Sequence, residues 1–110
     1  MIRTLAVFAV LALVLATTAS ATVRKVSLTS PVVAGSDASL TVKVSPSARC
    51  TIQVIYDTVI SKARGLGPKT GGSITWRWRV GSNTHSGRWP IIVRCGLSDT
   101  LRLALRVLAR

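Results

Sequence analysis

From residue 23 onward, apolar and polar positions alternate with a period of two, the pattern of strands with one buried face, and no stretch shows helical periodicity. The clearest run, "ASLTVKVS", sets Leu40, Val42 and Val44 on one side and Thr41 and Lys43 on the other. "RCTIQVIYD" aligns Cys50, Ile52, Val54 and Tyr56, and "SITWRWRV" aligns Ile74, Trp76, Trp78 and Val80. "WPIIVRCGL" aligns Trp89, Ile91, Val93 and Cys95, and "TLRLALRVL" aligns Leu101, Leu103, Leu105 and Val107. Two shorter runs complete the set. "VRKVSL" leads into "SPVV", where Pro31 suits a break between two half-strands, and "TVISK" forms a short strand. "AGSD", "SPSA", "ARGLGPKTGG", "GSNTHSGR" and "SD" separate the runs by turn composition.

Turn signals this closely spaced predict an all-β fold, and about seven strands in so short a chain have the proportions of an immunoglobulin-like Greek-key β-sandwich. In that arrangement the third and sixth strands are antiparallel neighbours in one sheet. Cys50 opens the third and Cys95 falls near the end of the sixth, both on the inward phase. The predicted disulfide Cys50–Cys95 therefore staples two strands of the same sheet.

What precedes the first strand reads as a leader. Arg3 is followed by the uncharged "TLAVFAVLALVLA" and then by "ASA" at 19–21, a small-x-small cleavage signal. Residues 1–21 are predicted to be a signal peptide, cleaved after Ala21. Its apolar run is about 12 residues, against the roughly 20 that span a bilayer, so no membrane span is expected after cleavage. The expected localisation is secreted or associated with the cell envelope. Residues 22–110 suffice for one domain with a modest core, for which a disulfide persisting in an oxidising compartment matters.

Charge changes the picture most. The chain carries 15 Lys and Arg against 3 acidic residues, all Asp, for a net +12. Without Arg3, 14 basic residues against 3 Asp leave +11. Such a surface attracts polyanions with a strength that falls as salt rises. An exported protein meets anionic wall polymers, acidic polysaccharides and anionic lipids. The interleaved tryptophans and arginines of "SITWRWRV" resemble a stacking platform for single-stranded nucleic acid at first sight. A strand cannot present both sets on one surface, because successive side chains point to opposite faces. Trp76 and Trp78 share a face with Ile74 and Val80 and go to the core, while Arg77 and Arg79 point outward. Nucleic acid is accordingly not the expected partner.

The candidate polyanion contacts are Lys43, Arg77 and Arg79, near Lys25 on one sheet, with Lys62, Arg64 and Lys69 as loop contributors. The other sheet's outer face carries Arg94, Arg102 and Arg106 together with Ile55, Ile92 and Ala104. Ile55 and Ile92 are candidate protein contacts, since a contiguous apolar patch can mark an interface.

Candidate chemistry is sparse. The acids are Asp37, Asp57 and Asp99, and the histidine is His85, in a glycine-bounded loop. No nucleophile elbow, phosphate-cradling glycine motif, calcium loop or metal-ligand spacing is present, so no catalytic residue, metal or cofactor is expected.

The run "GLGPKTGGSITWRWRVGSNTHSGRWPIIVRC", with the upstream "SPSARCTIQVIYD", resembles small immunoglobulin-like (fibronectin type III-like) domains of exported bacterial proteins. The positions that carry the resemblance are Cys50, Thr51 and Ile52; Leu66, Gly67, Pro68 and Lys69; and Trp76, Trp78, Val80, Gly81, Asn83, Thr84, Gly87, Trp89, Pro90 and Cys95. A proline frequent between Asn-Thr and Gly is replaced here by His85-Ser86, which implies a less rigid loop. The resemblance implies an extracellular β-sandwich acting as an accessory module, and fold alone does not give function. The function expected on these grounds is a secreted, basic, non-catalytic module held to an anionic envelope polymer. The alternative is docking to a surface protein through Ile55 and Ile92 or through a free sheet edge.

Overall fold

The computed structural model describes residues 21–97 and 99–110, so the expected leader at 1–20 lies outside the described residues. Among the described residues seven strands make up the fold: β1 (Thr22–Leu28), β2 (Val32–Val33), β3 (Asp37–Tyr56), β4 (Val59–Ile60), β5 (Lys69–Arg79), β6 (Gly87–Cys95) and β7 (Asp99–Leu108). The all-β expectation holds. The strands do not correspond one to one with the sequence runs, however. The run around Pro31 divides into β1, which pairs with β3, and β2, which pairs in parallel with β7. Conversely, the two runs on either side of "SPSA" form one strand of 20 residues.

That long strand organises everything else. Its first half pairs with β1 on one side and β5 on the other. Ser45, Pro46 and Ser47 are exposed, and the pairing with β5 changes register between Lys43 and Ala48. Proline has no N–H to give a ladder, and the strand continues there, exchanging β1 for β6 while β5 resumes pairing at Ala48 in a new register. The second half of β3 then pairs with β6, and β7 and β2 follow outward, while β4 closes a tight hairpin on Ile55 and Tyr56. One strand thus belongs to both layers of a sandwich-like arrangement.

Even-numbered residues of β3 stay inward on both sides of the bend. Leu40, Val42, Cys50 and Val54 are fully buried, with Trp76 and Trp78 of β5, Ile91 and Val93 of β6, and Leu105 and Val107 of β7 in the same core. Among the described residues no charged or polar residue is buried. Cys50 and Cys95 are directly opposite on β3 and β6, with Cα atoms 4.1 Å apart, and form the expected disulfide.

Candidate functional site

β5 separates its two residue types as a pleated strand must. Trp76 and Trp78 are 0% and 2% exposed, whereas Arg77 and Arg79 are open to solvent. Burial alone would leave the indole N–H groups unsatisfied, and each has a partner. Trp76 Nε1 donates to the Gly67 carbonyl at 2.9 Å, and Trp78 Nε1 donates to the Tyr56 hydroxyl at 3.1 Å. The first of these bonds ties the 61–68 loop to the core, where Leu66 packs as well.

Tyr56 connects this core to pH. Burial pushes its phenol above its ordinary value, outweighing the Trp78 bond that favours the phenolate. A raised folded-state value means that this contribution to stability is complete below the unfolded tyrosine range near 10 and is lost as pH rises through the folded value. We expect the thermal midpoint to drop at strongly alkaline pH. Tyr56→Phe should flatten part of that drop while costing about 1 kcal/mol at neutral pH through the orphaned Trp78 N–H. Parallel alkaline melting curves of the two proteins test this.

The outer face of β1, β3 and β5 is lined with hydroxyls and cations. Lys43 lies opposite Ser73 on β5 and opposite Arg24 on β1. The neighbour of Lys43 is therefore Arg24, not Lys25, because a register shift between Lys25 and Ser27 moves the strand by one place. Thr41 and Thr75 come next and share a 2.8 Å hydroxyl contact. Ser39 and Arg77 follow, then Asp37 and Arg79. At this end Thr29, Ser39, Asp37 and Arg77 line a shallow depression of about 210 Å³.

The remaining candidates fall around this face unevenly. Lys69 is not a loop residue: it opens β5 opposite Cys50, because the glycine-containing segment 69–72 continues the ladder. Its Nζ reaches along the strand to the Thr75 carbonyl at 2.7 Å. Lys62 and Arg64 are exposed in the 61–68 loop as expected. Gly65 brings that loop against the edge of β5. Its φ is +97°, and a Cβ there would sit 1.9 Å from the Arg77 carbonyl oxygen, so the close approach requires glycine. The residue before Gly65 in the loop is Arg64, so the backbone next to Arg64 lies against that of Arg77. Arg79, in contrast, is committed: its Nε lies 3.4 Å from Asp37 Oδ1, both side chains being exposed.

The other two acids are also engaged. Asp57, in the β3–β4 turn, approaches His85 at 3.2 Å, and the His85 carbonyl accepts from Trp89 Nε1 at 2.9 Å. The loop lacking the proline is therefore tethered at both its backbone and its imidazole. Asp99 accepts the Val23 N–H and so occupies the edge of β1. Sequence reasoning saw none of these pairings, since the partners lie far apart in the chain. Ile55 and Ile92 are half-buried on the opposite outer face, where Ile55 pairs with the exposed Ile60. Among the described residues, no cluster of His, Cys, Asp or Glu could hold a metal ion, and no helix is long and apolar enough to cross a membrane. No protein-family model, no curated protein and no solved structure matches the chain.

Proposed function

We propose that the protein is a secreted, strongly basic immunoglobulin-like binding module that associates with anionic polymers of the cell envelope and carries no catalytic activity. The strand pairing supports the immunoglobulin-like reading. β1, the first half of β3 and β5 make one layer, and β4, the second half of β3, β6 and β7 make the other. This division matches an immunoglobulin-like sandwich whose fourth strand has moved to the sheet of the third. The leader-like residues 1–21 and the disulfide support export.

One observation carries the polymer reading. All three acids are engaged, Asp37 with Arg79, Asp57 with His85 and Asp99 with the Val23 N–H. Arg24, Lys43 and Arg77 share a hydroxyl-lined face with no ion pair among the described residues. Charge-assisted hydrogen bonds from these side chains, with Lys69 and Arg64 alongside, suit successive phosphates or carboxylates of a polymer better than one small ligand. Of the candidates on this face Arg79 lies beside Asp37, and Arg24, rather than Lys25, is the residue opposite Lys43.

The test is cosedimentation of the purified protein with envelope fractions. Binding should be strong at low salt and collapse near 1 M, where the screening length is about 3 Å. Retention that is unchanged at high salt would refute the polymer reading.

A further inference from the structure

The outer face of β3, β6 and β7 has no part in polymer binding as described, and its composition is unlike that of the first face. Cross-strand register sets Arg88 directly opposite Arg106, Pro90 opposite Ala104, and Ile92 between Arg102 and Gln53. Arg94 follows, between Thr51 and Thr100. Ile55 lies one residue beyond the Val54–Ile91 pair and carries Ile60 of β4 at its side. An apolar centre of Ile55, Ile60, Pro90, Ile92 and Ala104 is therefore bounded by the Arg88–Arg106 pair at one end and by Arg94 at the other, with Arg102 beside Ile92. Arg88 was hidden from sequence reasoning because β6 begins at Gly87, earlier than its apolar run.

Like charges directly opposite one another destabilise a sheet, so the Arg88–Arg106 pair works against folding. No acid among the described residues offsets it: the nearest along β3, Asp57, is turned to His85. We propose that this face docks a protein segment that presents an apolar side chain between carboxylates. Charge decides among the possible occupants. A second copy would bring the same arginines against themselves. A bilayer would meet the long arginine side chains first, because Ile55 and Ile92 are half-buried at the level of the sheet beneath them. An acidic segment with a protruding apolar residue fits both features at once. Arginine enrichment around an apolar centre is also characteristic of protein interfaces.

The experiment is an amide-resolved NMR titration of the purified protein with the synthetic peptide acetyl-Glu-Glu-Leu-Leu-Glu-Glu-amide. Shifts should fall on Arg88, Ile92, Arg102, Arg106 and the second half of β3. Affinity should drop at least tenfold when the peptide leucines become serine, and equally with Ile92→Ser or with Arg88→Gln. Arg88→Gln should also raise the thermal midpoint, which separates lost docking from lost folding. Shifts confined to the Lys43 and Arg77 face, indifference to the leucines, or no shifts at millimolar peptide would overturn the proposal. So would equal binding to phosphatidylglycerol vesicles lost in the same variants, since that assigns the face to membranes. The polymer reading stands or falls separately, on the other face.

Discussion

Removing the Cys50–Cys95 bridge, as Cys50→Ala/Cys95→Ala, is expected to cost about 4 kcal/mol of folding stability. The figure follows from the loop-entropy model for a closed loop of 45 residues. Marginal stabilities of roughly 0.05–0.15 kcal/mol per residue make that about 30% or more of the total for a domain of this size. Position adds to the effect. The two cysteines are fully buried and face each other on the strands that carry the core from β3 into β6. They also sit where β3 has just exchanged β1 for β6 after Pro46, so the bridge fixes the β3–β6 pairing at its start. Urea unfolding of the two proteins measures the loss. The m-value should rise in the variant, because an uncrosslinked unfolded chain exposes more surface. A difference below about 1 kcal/mol would fall outside the usual range for such bridges and would mean that the core alone fixes the register.

Trp76→Ala should have an effect of similar size for a different reason. The ring is fully buried and, with Trp78, is one of the two largest side chains in the core. Truncating a buried aromatic to alanine costs about 3–5 kcal/mol, part of it for the cavity left behind. The Gly67 carbonyl also loses its donor, which frees the 61–68 loop from the strand it covers. Arg77→Ala, one residue away, should change stability by no more than about 0.5 kcal/mol, as exposed substitutions ordinarily do. Thermal melts of both variants read the contrast. Equal, small effects would return the tryptophans to the surface and revive the stacking platform.

How much of this was legible in the sequence depends on the range of the interaction. Period-two alternation placed Trp76, Trp78, Cys50 and Cys95 inward, because burial on one face is written into every second residue. The continuity of β3 was not legible, since "SPSA" has the composition of a turn whether the chain ends a strand there or only changes partners. Lys69 reads as a loop residue for the same reason: Gly67, Pro68, Gly71 and Gly72 imitate a loop while the backbone from Lys69 onward stays extended. A bulge decides between Arg24 and Lys25, and nothing in the letters marks it. The pairings of Asp37 with Arg79 and of Asp57 with His85 join residues 42 and 28 positions apart, so only the folded register brings them together. The outward direction of Lys43, Arg77 and Arg79 was visible in the alternation, but not which of them an acid already holds.

Strand β5 gives its tryptophans to the core, and its free arginine, with Arg24 and Lys43, is proposed to meet an anionic polymer. The most direct measurement is the affinity for inorganic polyphosphate as a function of salt, compared between the native protein and Arg24→Ala/Lys43→Ala/Arg77→Ala. The logarithm of affinity should fall linearly with the logarithm of salt. Removing three cations should reduce the magnitude of that slope by about two, on the scale of flexible single-stranded polyanions. A triple variant with the native slope, or a native affinity indifferent to salt, would rule out polyanion binding through this face.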